Sequence, residues 1–95
     1  MTQAGETIKD TVTITNKLGL HARPAMALVD VASRFQATVT LQLGDQSVDA
    51  KSIMQLMVLA AGQGAQIQVE ASGPDASEAI AAIKELVAQK FDEEE

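Results

Sequence analysis

Three segments of the chain alternate residue by residue between polar and apolar side chains: TVTIT (Thr11–Thr15), TVTLQL (Thr38–Leu43) and QIQVEA (Gln66–Ala71). A period of two puts every second side chain on the same face of a strand. Val12 and Ile14 therefore share a face, as do Val39, Leu41 and Leu43, and again Ile67, Val69 and Ala71. After Leu43 the GDQS turn leads into a short fourth arm carrying Val48 and Ala50, which makes a hairpin. Four strands with one apolar and one polar face predict a sheet with one wet side, and such sheets are antiparallel.

The apolar side must be covered, and the intervening segments have helical spacing. Ala25, Leu28, Val29, Ala32 and Phe35 form one stripe, with Asp30, Ser33 and Arg34 opposite. SIMQLMVLAAG predicts a short second helix closed by Gly62. The third opens on Gly73-Pro74-Asp75, a helix-start signal, and carries Ala76, Ile80, Ile83 and Val87 on one side. Lys84 and Lys90 fall late in it, where the helix dipole favours cations. The order βαββαβα is an α+β layout: a four-stranded antiparallel sheet with three helices on one face. Only Phe35 and Phe91 are aromatic, so aliphatic residues and alanines must build the core in thin, close layers. One domain over residues 1–95 is expected, ordered from about 8 to 91, with the acidic tail Asp92–Glu95 a flexible end.

Net charge is -6, but the tail holds four of the acidic residues and the body is near balance. An acidic chain without aromatic stacking platforms is a poor nucleic-acid ligand. The absence of cysteine excludes disulfides and thiolate metal sites, and a single histidine cannot build a zinc centre, so neither metal nor cofactor is expected. MTQAGETIKD contains no apolar run suited to a signal peptide, and no segment is long enough to cross a membrane. The expectation is a cytoplasmic monomer without direct membrane insertion.

The chemistry concentrates in GLHARPA, Gly19–Ala25. Pro24 suits the first turn of a helix, where its missing N–H would have been unpaired anyway. His21 then precedes a helix N-terminus, whose free N–H groups and positive dipole end attract an anion, phosphate above all. Arg23 can add charge-assisted hydrogen bonds to the same oxygens. An imidazole nitrogen beside preset donors is equipped to accept a phosphoryl group. The residues alone also suit a loop histidine, with Gly19 and Pro24 only shaping a turn. No second base or partner for a self-sufficient hydrolase is visible.

NKLGLHARPA, followed some thirty residues later by KSIM, resembles HPr, the histidine-containing phosphocarrier family of the bacterial phosphoenolpyruvate-dependent phosphotransferase system. The resemblance runs from about Val12 to Val87. It implies an open-faced β-sandwich and a relay protein rather than an enzyme. His21 would accept a phosphoryl group on Nδ1 from enzyme I and pass it to a sugar-specific acceptor protein. Arg23 matches the residue that neutralises that group, and Pro24 the proline that shapes the helix start.

Ser52, with Gln55 three residues on, fits a capping box. By the resemblance it also matches the serine phosphorylated by HPr kinase with ATP, in carbon catabolite regulation. Two added negative charges there would slow phosphorylation at His21. Ile53, Met54, Leu56, Met57, Val58 and Leu59 make the second helix apolar on more than one face, which leaves an exposed patch. The expected docking surface is Ile53, Met54 and Met57 with Leu20 and Met26, and Lys51 beside Lys17 and Arg23 as local cations. An alternative is an HPr-like regulatory module that acts mainly through phospho-Ser52, by binding a transcription regulator. A weaker alternative is an inert α+β domain that binds a small ligand.

Overall fold

A computed structural model describes residues 6–92, with side chains from 7 to 91. The N-terminal extension and all but the first residue of the acidic tail lie outside the described residues. The elements run β1 (Glu6–Thr13), α1 (Ala22–Ala32), β2 (Thr38–Leu43), β3 (Gln46–Asp49), α2 (Ile53–Leu59), β4 (Gln66–Gly73) and α3 (Ala76–Ala88), then a closing turn at Lys90–Asp92. The sheet has the order β1-β4-β2-β3 and every pairing is antiparallel. Its register sets Val12 opposite Ile67, and Val39 and Leu41 opposite Ala71 and Val69. Those side chains are buried, whereas Thr11, Thr13, Thr38, Gln42, Gln66 and Gln68 face outward. Alternation along the strands thus becomes one dry face and one wet face.

The dry face is covered by α3 over β1 and β4, while α1 bridges α3 and α2. Ala25, Ala32, Ala37, Ala50, Ala71 and Ala79 are wholly inaccessible, so small side chains bring the layers close together. Leu56 is also wholly inaccessible and holds α2 down on the core. Leu56→Ala is expected to cost about 3 kcal/mol of stability, within the range for buried leucine truncations, measured by urea unfolding.

Several boundaries differ from the sequence expectation, each for a physical reason. The first strand begins at Glu6 and ends at Thr13 rather than spanning Thr11–Thr15, because β4 offers partners for the polar stretch as far as Gly73. Ile14 lies just past it, buried, with its N–H donating to the Ala65 carbonyl at 2.9 Å. Helix α1 stops at Ala32, so Phe35 reaches the core half-buried from the turn that follows. Helix α2 is closed by Ala60 in the left-handed conformation (φ 54°) rather than by Gly62. Lys84 donates to Asp10 at 2.7 Å across to β1, and Lys90 falls beyond the end of α3.

Asp75 precedes α3 but its carboxylate does not cap that helix. It accepts instead from the N–H groups of Gln36 (2.9 Å) and Ala37 (2.8 Å), tying the turn after α1 to the start of α3. The Gln36 N–H chiefly, with that of Ala37 and the charge of Lys51, holds this carboxyl below its ordinary value. In the unfolded chain the same carboxyl binds a proton first, so stability rises with pH through this window. The contribution is complete above the usual carboxylate range and is lost as pH falls through that range and below it. Asp75→Ala is expected to lower the urea midpoint at pH 7 and to flatten its dependence on pH between about 5 and 3, the range in which ordinary carboxylates titrate.

Candidate functional site

The turn ahead of α1 is anchored at both ends. Gly19 donates its N–H to the Asn16 carbonyl at 3.2 Å, and Leu20 donates to the Ala61 carbonyl at 2.8 Å. Gln63 Nε2 adds a bond to the Thr15 carbonyl at 3.2 Å. The turn is thereby laid on the segment that follows α2. Gly19 has φ +69°, and a Cβ there would stand 2.5 Å from the Ala61 carbonyl oxygen and 2.7 Å from Gly62 Cα. Only glycine permits both the backbone angle and this approach.

His21 follows as the N-cap of α1 with extended backbone (φ -86°, ψ -167°), its carbonyl accepting from Ala25 N–H at 2.9 Å. The ring does not cap the helix, and the residue is half-buried rather than sealed in the core. A helix start leaves four N–H positions without intrahelical partners. Here the His21 N–H donates back to the Gly19 carbonyl at 3.0 Å, and Pro24 has none to give. The donors left at the positive end are those of Ala22 and Arg23. Pro24 is buried in the first turn, while the Arg23 side chain is exposed. An imidazole next to these two N–H groups and an exposed guanidinium has the parts to receive a phosphoryl group and let it go again. Among the described residues no cluster of three or more histidine, aspartate or glutamate side chains could hold a metal.

The model of the family described as "PTS HPr component phosphorylation site" matches residues 8–89. The chain belongs to the HPr family. Among its relatives, the phosphocarrier protein NPr of Escherichia coli K12 is 46% identical over 89 residues, which cover 93% of this chain and 99% of that one. The phosphocarrier protein HPr of Xylella fastidiosa Temecula1 is 47% identical over 83 residues, 87% of this chain and 93% of the other. The crystal structure of HPr-C-His from Thermoanaerobacter tengcongensis superposes with a TM-score of 0.89 at 42% identity, covering 93% of this chain and 99% of that one. The open-faced sandwich is the HPr architecture, and the chain is a phosphocarrier of the phosphotransferase system.

Around the histidine of this HPr domain the apolar surface differs in membership from the sequence expectation. Leu20 is only 3% exposed and packs mainly into the core, its N–H bonded to Ala61, though it still borders the recess beside His21. The large apolar side chains that do reach solvent are Leu18, Met26, Met54, Met57 and Val58. Leu18, His21 and Met57 line one open recess of about 280 Å³, while Met26 and the half-buried Ile53 line another. Leu18 and Val58 lie outside the docking surface expected from sequence, although Leu18 borders the motif directly and Val58 belongs to the apolar run of the second helix.

Lys51 lies toward the other end of α1, where its Nζ donates to the Phe35 carbonyl at 2.8 Å. Ser52 caps α2 by accepting the Gln55 N–H at 3.3 Å. The capping box is half formed: the Gln55 side chain does not return to Ser52 but accepts the Asp49 N–H at 2.9 Å, while the Ser52 N–H donates to the Asp49 carbonyl. Among the described residues no helix is long and apolar enough to cross a membrane.

Proposed function

We propose that His21 is the phosphoryl acceptor of this carrier, receiving its group from enzyme I and giving it to a downstream acceptor protein of the phosphotransferase system. One observation carries this reading: the half-exposed imidazole stands directly before two helix N–H groups that nothing inside the helix can use. In the first transfer the Nδ1 lone pair forms an N–P bond while the bond from phosphorus to the donor's leaving atom breaks, its electron pair departing with the donor. The second transfer runs the same exchange onto the acceptor. The Ala22 and Arg23 N–H groups, the helix dipole and the Arg23 guanidinium share the charge on the phosphoryl oxygens. Their exposure keeps that grip weak, which preserves the transfer potential a relay needs. Incubation with enzyme I and phosphoenolpyruvate should place one acid-labile phosphate on the chain, and no uptake rejects the proposal. Relatives carrying the names HPr and NPr match the chain closely, so a panel of sugar-specific and other acceptors would identify the downstream partner.

Ser52 supports a second, regulatory reading. Its hydroxyl accepts a long bond from the Gln55 N–H, at the start of the helix that also carries the exposed Met54 and Met57. A phosphate there would bring about two negative charges to the apolar docking face and slow phosphorylation at His21. HPr kinase with ATP is expected to give acid-stable phosphate that disappears in Ser52→Ala. That variant should lose about 0.5–1 kcal/mol through the missing cap, read from its unfolding midpoint. Phosphate on Ser52 with none on His21 would favour the regulatory module, which binds a transcription regulator, over the relay.

A further inference from the structure

Asn16 is the one polar side chain among the described residues that is wholly buried, at 0% exposure. Its Nδ2 donates to the Gly19 carbonyl at 2.7 Å, and the His21 N–H donates to the same oxygen at 3.0 Å. Both lone pairs of one carbonyl, on a buried glycine, are thus spent on the residue that opens the turn and the residue that ends it. We infer that Asn16 is a positioning residue for phosphoryl transfer, acting through the Gly19–Leu20 peptide to fix how His21 is presented. The inference rests on the proposed role of His21.

The bond from His21 N–H to Gly19 spans only two residues, and hydrogen bonds across so tight a turn are bent and weak. By itself it would hold the Gly19–Leu20 peptide poorly. The shorter bond from Asn16, out of reach of water, pins the carbonyl. While it is pinned, the His21 N–H stays directed inward and the incoming group meets the Ala22 and Arg23 donors. Without Asn16 the peptide can rotate, carrying the His21 backbone and its ring away from those donors. The exposed Met26, Met54 and Met57 lie on α1 and α2 and take no part in this bond, so docking should be spared.

The test measures phosphoryl transfer from enzyme I to wild type, Asn16→Ala and Asn16→Asp, each shown to be folded by circular dichroism. In Asn16→Ala the maximal rate should fall about tenfold or more, as for other small misplacements of a reacting group, with KM within about twofold of wild type. Asn16→Asp keeps the shape, but only its protonated carboxyl can donate to the Gly19 carbonyl. Burial raises such a carboxyl, so the defect of this variant should shrink as pH is lowered. The titratable groups of the turn and of the packed segment 60–65 are Lys17 and His21, present in all three proteins, so the wild-type profile is the reference. A purely structural role would not produce that difference in pH profile. An unchanged maximal rate in Asn16→Ala, a loss confined to KM, or an Asp variant that follows wild type at every pH would overturn the inference. Should Asn16→Ala fail to fold, the pH profile of Asn16→Asp decides. Wild type that takes up no phosphate would mean that the relay reading has failed, and would be seen before any variant is compared.

Discussion

His21→Ala, incubated with enzyme I and phosphoenolpyruvate, is expected to take up no acid-labile phosphate under conditions where wild type is fully charged. The effect should be complete rather than partial. His21 is the only histidine in the chain, and no other side chain can form the same phosphoramidate at the α1 N-terminus. The fold should survive. The ring makes no cap hydrogen bond and the residue is half-buried at the surface, so the unfolding free energy should stay within about 1 kcal/mol of wild type. Loss of phosphate with retained structure separates chemistry from folding. Acid-labile phosphate on the alanine variant would move the acceptor elsewhere.

Gly19→Ala should be the most damaging single methyl group near the site. It meets two penalties at once. The backbone angle of +69° disfavours any residue with a Cβ, and that Cβ would press on backbone atoms of Ala61 and Gly62, neither of which can swing aside as a side chain would. Local strain of this kind costs about 1–3 kcal/mol even before the clash is relieved. Relief means parting the two segments, and the Leu20 bond to Ala61 is the first contact to go. Since that contact seats the turn carrying His21, transfer should slow by about a hundredfold together with the stability loss, as for an ångström-scale misplacement of the reacting group. Urea unfolding and the transfer rate measured on one sample check both halves. A variant with normal stability and normal rate would show that the close approach of the two segments is unimportant.

Much of this architecture is legible in local pattern. The alternation in TVTLQL and QIQVEA specifies which face is dry, and the stripe Ala76, Ile80, Ile83 and Val87 lies buried on α3 as its spacing demands. The location of the histidine before a helix follows from Pro24, whose ring geometry speaks for a first turn wherever it appears. What escaped depends on partners far away in the chain. Glu6, Lys9 and Asp10 have little strand character of their own, and become strand because β4 pairs with them. Phe35 continues a helical period in sequence, yet the chain has already left the helix, and the turn still delivers the ring to the core.

The site shows the same division. His21, Arg23 and Pro24 are adjacent in sequence, and a helix start is enough to group them. Asn16 gives no signal at that range, because its value lies in being buried under a fold that does not exist locally. Leu20 and Leu18 are equivalent as sequence, two leucines flanking one glycine. The bond from Leu20 to Ala61 turns one inward and leaves the other 71% exposed. Ala60 occupies a left-handed position that sequence rules reserve for glycine, so a glycine two residues later drew the helix end to itself. Asp75, part of the helix-start signal in sequence, serves as a clamp for Gln36 and Ala37, a use that needs α1 and α3 already side by side.

The most direct measurement is phosphorus NMR of the full chain, carrying nitrogen-labelled histidine, after charging with enzyme I and phosphoenolpyruvate. A phosphorus resonance coupled to the labelled Nδ1 is the result this account requires, and with a single histidine it can only be His21. A phosphorus signal with no nitrogen coupling, or phosphate found only on a hydroxyl or carboxyl group, would contradict it.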